Sequence, residues 1–268
     1  MSLSLPSTRD VIDAVGPDSV KFLHAIVSQD IESMADGETR WSFLLTPQGR
    51  VVSHFRAVRV NAEHLSLDIE AGHGALLESS LRRYLIRTKC TLSLRADQIA
   101  WSFPNATAVE TSSEDGRLVV DAHPLLGGAE VLGLTGPPSN AGDAEATEHR
   151  RVVSGLPAMG RELEDSTIPN GTGLLAWAVS FSKGCYIGQE LVERIDSRSG
   201  TTPARIVRVA LDVKPAPDLS ASDQKRSLRI TSVAPEGTSW AGLGWAARSV
   251  AVGDIVEGAR VIAEVGTG

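Results

Sequence analysis

Cysteine is scarce in this chain of 268 residues, which contains only Cys90 and Cys185. Two thiols cannot form a disulfide framework, and a sequence with so few cysteines is typical of a reducing compartment. The pair also falls short of the cysteine ligands that a structural zinc site or a complete protein-bound iron–sulfur cluster requires. The six histidines are scattered without metal-ligand spacing, so we expect no metal site.

Long apolar runs and positive charge are also in short supply. No apolar stretch is long enough to cross a bilayer and no signal segment is visible, so we expect a cytoplasmic protein that does not bind membranes. The formal net charge of -7 disfavours direct nucleic-acid binding, which needs clustered lysine and arginine. The best local basic patch consists of Arg82, Arg83, Arg87 and Lys89. Phosphate-binding loops, nucleophile elbows and zinc-protease motifs are absent, so we expect no autonomous catalysis.

The first half of the chain shows the pattern of a mixed α and β structure. Apolar residues at helical spacing predict a first element, a helix that begins near Pro17. Two extended runs, 39–46 and 50–60, enclose Pro47-Gln48-Gly49 and predict a β-hairpin with a three-residue loop. The later pattern predicts a strand with one buried face over 65–69, a helix over 74–85, a strand over 90–94 and a helix over 143–153. This order is typical of an α+β fold.

The end of the chain has a different pattern. Extended runs over 228–233, 240–247 and 260–265 are separated by turns that contain glycine. Short strands joined in this way predict a small all-β unit, a barrel, at the C-terminus.

The densest group of reactive side chains lies in the run 183–190, Lys-Gly-Cys-Tyr-Ile-Gly-Gln-Glu, with Arg194 after it. Glycines at 184 and 188 predict a backbone with positive φ or a close approach to another group. The residues from Gln189 onward predict a helix whose early carboxylates suit its N-terminal dipole.

Two features of this run have alternative interpretations. Cys185 beside Lys183, just before a helix, fits a reactive thiol in a pocket, but residue statistics favour a small buried hydrophobe. Glu190 and Arg194, four residues apart, either form a surface ion pair or line a cavity together. The spacing leaves both pairs of alternatives open.

The run resembles the K-G-C-Y-x-G-Q-E-x-x-x-R signature of the YgfZ family, folate-binding relatives of the glycine-cleavage T-protein (GcvT), an aminomethyltransferase. Segments 22–31, 44–50, 155–169 and 231–232 are also similar to segments of this family. The resemblance implies an α+β GcvT-like fold, with two ferredoxin-like layers around a folate channel and a small C-terminal β-barrel. It divides the chain into a folate-binding region, 1–204, and the C-terminal barrel, 205–268. The folate-binding region consists of two subdomains that meet near 95–100.

The resemblance also implies a function. It indicates a protein that binds tetrahydrofolate or a derivative and serves iron–sulfur cluster assembly or repair, with an effect on tRNA modification. Its partners would be iron–sulfur proteins or their assembly machinery. The cofactor-binding residues that it implies are Lys183, Gly184, Cys185, Tyr186, Gly188, Gln189, Glu190 and Arg194.

Three positions depart from the family pattern. His54 lies where the aminomethyltransferases have a catalytic aspartate, and histidine cannot supply the same anionic group. Val153 replaces an acidic residue suited to a pterin edge, and Asn170-Gly171 replaces a pair with Gln or Glu. The first departure disfavours aminomethyl transfer, and the second weakens the case for folate recognition.

Three functions are compatible with these observations. The favoured one is a folate-binding accessory factor that presents a folate and the Cys185 thiol to a partner. The second is a folate-dependent one-carbon transferase that uses His54 as its acid or base. The third is an interaction scaffold that has lost folate binding, which the valine at 153 keeps open.

Overall fold

The computed structural model describes residues 3–106, 117–133, 136–198, 202–215, 220–223 and 226–266. The strands are β1 (Leu5–Val15), β2 (Thr39–Leu45), β3 (Val51–Asn61), β4 (His64–Glu70), β5 (Thr91–Phe103), β6 (Leu118–Asp121), β7 (Ala129–Leu132), β8 (Ala204–Leu211), β9 (Ser220–Asp223), β10 (Arg226–Glu236), β11 (Ser239–Ala247), β12 (Ile255–Val256) and β13 (Ala259–Glu264). The helices are α1 (Ser19–Ile26), α2 (Gly74–Arg82), α3 (Ala144–Ser154), α4 (Leu175–Ala178) and α5 (Gln189–Ser197), with a 3-10 turn at Pro169–Gly171.

The first seven strands form one antiparallel sheet in the order β2-β3-β4-β1-β5-β7-β6. The predicted hairpin is confirmed as β2 and β3, with Gly49 at φ +75° in its turn. The first element, however, is β1 rather than a helix. Its sequence mixes polar and apolar residues, and its partners β4 and β5 lie far along the chain, so local spacing does not reveal it.

Strand β4 is buried on both faces, which corrects the expectation of one buried face. Leu65, Leu67 and Ile69 belong to the main apolar core, while Asp68 lies fully buried on the opposite face. The Asp68 carboxylate accepts hydrogen bonds from Nε of Arg56 at 2.6 Å and Nε of Arg9 at 2.7 Å. Burial by itself would raise the pKa of Asp68, but these two guanidinium groups lower it, so the carboxylate stays ionised.

The last six strands form a second antiparallel sheet in the order β12-β13-β8-β11-β10-β9. Strand β12 at one edge also approaches β9 and β10, so the sheet curls toward closure. Valines 207, 209, 250 and 261 lie in its own buried apolar cluster. The α+β fold class predicted from the sequence is confirmed. The predicted boundary near 95–100 falls inside β5, a continuous strand, and the division at 204 stays a prediction.

A single buried carboxylate connects the two sheets. Helix α3 packs against β1 on one side and against β10 and β11 on the other. Next to it, the fully buried Glu162 accepts hydrogen bonds from Arg151 and the Ala158 amide at 3.0 Å each, and from Thr231 and Ser232 at 2.6 Å each. These donors come from α3, the irregular segment before Glu162 and β10, so one side chain holds three parts of the fold.

In the parts of the chain that the structure describes, every helix is too short or too polar to span a bilayer.

Glu162→Gln should lower the free energy of unfolding by about 3 kcal/mol. The largely buried Arg151 would keep only the partly exposed Glu148 as its counter-charge, and the new amide group would face donors where a carboxylate oxygen accepted. Glu164→Gln is the matched control, since Glu164 pairs with Arg229 at 3.2 Å on the surface and should change stability by about 0.5 kcal/mol or less. Urea denaturation of both variants measures the difference. Equal losses in the two variants would contradict the role given to Glu162.

Candidate functional site

A cavity of about 300 Å³ lies between the seven-stranded sheet and α3. Its lining comes from β1 to β5 and β7 of the sheet, from the turns after β4 and β6, from α3 and from the irregular segment 156–161. The lining side chains include Ser7, Arg9, Trp41, His54, Glu70, His123, Glu130, Arg150, Arg151 and Met159. A cavity of this size, with apolar walls and a few polar groups, has the character of a small-molecule site.

Two imidazoles and an indole form one wall of the cavity. The rings of Trp41 and His54 stack with centroids 5.0 Å apart and planes 23° from parallel. His123 meets the Trp41 ring edge-on at 4.8 Å and the Trp177 ring edge-on at 5.2 Å, and its centroid is 6.0 Å from that of His54. Both histidines are 1% exposed, so their rings are fixed by packing.

Both histidines are neutral at pH 7. Burial and, after it, the positive charge of Arg56 lower the pKa of His123 to about 3. Burial also lowers the pKa of His54 well below 6.5, with His123 and Arg9 adding to the effect. His54, which the resemblance places at the position of the transferase aspartate, is therefore an uncharged ring of the cavity lining.

Four polar atoms of the cavity lining are buried without a hydrogen-bond partner among the described residues. Nη2 of Arg9 still forms an ion pair with Asp68 at 2.5 Å, which leaves Nε2 of His54, Nε2 of His123 and Oε2 of Glu70. An unpaired buried polar atom costs free energy, and native proteins keep few of them. Each of these atoms lacks a hydrogen-bond partner that a polar group of a bound ligand would supply.

The arginines around the cavity are already committed to the protein. Arg150 donates to Ser102 Oγ at 2.6 Å and to the carbonyls of Leu126 and Gly127 at 2.9 and 2.8 Å. Arg161 pairs with Glu148 at 2.5 Å. These bonds fix the turn after β6 and the rim of the cavity, which keeps the walls in place.

None of the eight signature residues predicted to bind the cofactor lines this cavity. Five of them lie in the turn between α4 and α5, and Gln189, Glu190 and Arg194 lie in α5 itself. Lys183 Nζ donates to the carbonyls of His24, Val27 and Gln29, the last two at 2.7 and 3.1 Å, at the end of α1. Burial lowers the pKa of Lys183 to about 8, although Asp30 raises it. The lysine thus satisfies carbonyls that the helix end leaves without partners.

The signature turn packs directly against the β2–β3 hairpin turn. Gly188 has φ +81°, and a Cβ there would lie 2.5 Å from the Thr46 carbonyl oxygen. Gly49 has φ +75°, and a Cβ there would lie 2.6 Å from Cβ of Leu191 on α5. Gly184 differs, because it has open space around it and no positive φ, so the expectation of a crowded glycine is wrong at this position.

The remaining signature residues divide between core and surface. Tyr186 is buried, and its backbone amide donates to Oε1 of Gln189 at 3.2 Å. Cys185 is exposed, so the alternative of a small buried hydrophobe is wrong. Glu190 and Arg194 are exposed as well, and these two described residues neither pair with each other nor line the cavity. Cofactor binding by the signature stays a prediction.

The other departures from the family pattern also have defined places. Val153 packs, partly buried, against the main apolar core. Nδ2 of Asn170 donates to the Val192 carbonyl at 3.1 Å and so joins the 3-10 turn to α5. Neither side chain lines the cavity. The carboxylates that do line it are Glu70, Glu130 and Glu148, and the sequence analysis did not predict them.

No family model matches the chain. Among curated proteins, it is 27% identical over 227 residues to the mitochondrial iron-sulfur cluster assembly factor IBA57 homolog of Neurospora crassa, covering 75% of this chain and 52% of the relative. It is 27% identical over 216 residues to the tRNA-modifying protein YgfZ of Pectobacterium carotovorum, covering 71% of this chain and 65% of that relative. The matched part thus spans about half of the first relative and less than two thirds of the second.

The fold is similar to that of a solved structure, the glycine cleavage system aminomethyltransferase T of Bartonella henselae. The TM-score is 0.80 at 15% identity, over 98% of this chain and 85% of the other. This likeness confirms the predicted GcvT-like α+β fold. The chain is similar to YgfZ and IBA57 proteins in sequence and to the aminomethyltransferase in fold, as its signature predicted.

Proposed function

We propose that this protein is a folate-binding accessory factor in iron–sulfur cluster assembly or repair, with tetrahydrofolate or a derivative in the central cavity. The observation that carries the proposal is the set of unpartnered polar atoms on His54, His123 and Glu70 in one cavity. The pyrimidine half of a reduced pterin is planar and offers hydrogen-bond donors and acceptors along its edge, which is what these atoms lack. The names of the relatives support the iron–sulfur part and its link to tRNA modification.

The second function, a one-carbon transferase with His54 as its acid or base, has less support. A general base works best when its pKa lies near the working pH. The pKa of His54 is well below 6.5 because the ring is buried. The neutral ring is therefore not protonated to act as an acid at pH 7, and it is a weak base. Binding without autonomous catalysis is the better match to this cavity.

In this proposal the signature acts mainly as a structural clamp, with one functional side chain. Lys183 and Gly188 hold the turn against α1 and the hairpin, and the hairpin contributes Trp41 and His54 to the cavity wall. Cys185 remains exposed at this turn, where a partner can reach its thiol. We propose iron–sulfur proteins or their assembly machinery as the partners. The cytoplasmic location stays a prediction, since one relative is named as mitochondrial.

Calorimetric titration with tetrahydrofolate should detect binding to the wild type and none to Ser7→Trp, because the added indole fills the cavity that Ser7 lines. Lys183→Met should keep the dissociation constant within about twofold but lose roughly 2 kcal/mol of stability, since three carbonyls lose their donor.

Lys21→Met, at an exposed position of α1, is the control and should change neither property. Absence of tetrahydrofolate binding to the wild type would refute the ligand. If Lys183→Met loses binding while Ser7→Trp still binds, the ligand site would be the signature turn and not the cavity.

A complementation assay tests the role of the thiol. In bacteria that lack their own YgfZ, this protein should restore the activity of iron–sulfur enzymes, and Cys185→Ser should restore less than about a tenth of it. Cys90→Ser should match the wild type, because Cys90 is partly buried and its burial raises the pKa of the thiol. Full rescue by Cys185→Ser would favour the third function, an interaction scaffold that has lost folate binding.

A further inference from the structure

His123 has one ring nitrogen in use and one free. The backbone amide of Leu125 donates to its Nδ1 at 3.2 Å, while Nε2 is buried without a partner among the residues that the structure describes. Because Nδ1 accepts a hydrogen bond, it carries a lone pair, and the single proton of the neutral ring must be on Nε2. The cavity wall therefore contains an N–H donor with nothing to donate to.

The backbone around His123 makes this donor rigid. The amides of Leu126 and Gly127 donate to the His123 carbonyl at 2.8 and 2.9 Å, and Arg150 donates to the carbonyls of the same two residues. The rings of Trp41 and Trp177 meet the imidazole edge-on from two sides. The ring cannot turn to reverse the roles of its nitrogens without losing the bond from Leu125.

The ring also cannot change its role by taking up a proton. The charged group that acts on it is Arg56, whose guanidinium lies 5.4 Å from the centroid of the adjacent Trp41 ring. The carboxylates of Asp68 and Glu130 pair with Arg56 at 2.5 and 2.8 Å, so Arg56 already engages both of them. A second proton on His123 would add positive charge beside Arg56 in a buried site, so the ring stays a neutral donor.

We propose that His123 determines ligand specificity, because its fixed Nε2–H can donate only to a ring that presents a carbonyl oxygen at that place. Glu70, whose Oε2 has no hydrogen-bond partner among the described residues, is the complementary acceptor for ring N–H or amino groups. This inference rests on the proposed function and adds the residue that distinguishes one pterin from another. A ligand with an amino group in place of the ring carbonyl would set two donors against each other.

The size of the effect follows from the cost of an unpaired buried polar group. Sites built to hydrogen-bond one group reject an analogue that cannot do so by large factors, because the buried group of the protein is left unpaired. For one neutral donor we expect discrimination of about tenfold to a hundredfold.

The test compares two ligands and three proteins. Dissociation constants are measured for tetrahydrofolate and for its analogue with an amino group in place of the ring carbonyl. The wild type should prefer tetrahydrofolate by at least about tenfold, and His123→Phe, which keeps a ring of similar shape but no donor, should bind the two within about twofold of each other. His149→Phe, outside the cavity lining on α3, should keep the preference of the wild type.

The ratio separates a direct contact from a purely structural role, since loss of packing would weaken both ligands alike. A preference retained by His123→Phe overturns the inference and leaves the proposed function standing. Equal binding of both ligands by the wild type would also overturn the inference and leave the proposed function standing. If the wild type binds neither ligand, both the inference and the proposed function are wrong.

A measurement without ligand tests the tautomer. In protein with ¹⁵N-labelled histidine, the His123 signals should show a protonated Nε2 and an unprotonated Nδ1, unchanged between about pH 5 and pH 8. Thermal unfolding of His123→Phe confirms that the variant is folded before its affinities are compared. A proton on Nδ1, or titration in this range, would overturn the inference even if tetrahydrofolate binds.

Discussion

The structure depends most on the buried carboxylate of Glu162, because the parts of the chain that it joins are distant in sequence. Its four hydrogen-bond donors belong to α3, to the irregular segment that precedes it and to β10. Its backbone carbonyl also accepts from Trp245 Nε1 on β11 at 2.9 Å. The same α3 and irregular segment supply Arg151 and Ala158 to the cavity lining, so the shape of the cavity follows from this interaction.

A second constraint explains why the signature sequence is so specific without lining the cavity. Two glycine turns, one in the hairpin and one before α5, meet so closely that a Cβ on either would collide with the other segment. Lys183 adds three hydrogen bonds to the end of α1. The hairpin that is held in this way presents Trp41 and His54 to the cavity. The signature and the cavity are thus coupled through packing, and Cys185 is left at the surface.

Local patterns predicted the elements whose signals are short-range. The β2–β3 hairpin has a glycine-containing loop between two extended runs, and α2 has helical apolar spacing, so both were predicted within a few residues. Strands β1 and β8 were missed, because a strand of mixed polarity is stabilised by partners far along the chain. The resemblance, rather than any pattern, supplied the overall arrangement.

The candidate site was harder to predict than the fold. His54 was identified only because the resemblance places it where aminomethyltransferases are expected to have an aspartate, and His123 was one of six scattered histidines with no motif around it. What makes His123 notable is a buried nitrogen without a partner, and this depends on distances between segments that the sequence does not contain. The signature at 183–190 is the most recognisable motif in the sequence, yet its side chains do not line the cavity and so did not indicate where the cavity lies.

The central claim is that the cavity behind the hairpin, and not the signature turn, holds the ligand. The most direct measurement is a crystal structure of the protein with tetrahydrofolate. The account predicts electron density for the pterin ring in the cavity, with hydrogen bonds from His123 Nε2 to a ring acceptor and to Glu70 Oε2 from a ring donor. Density against Lys183 and Cys185, with the cavity empty of folate, would contradict it.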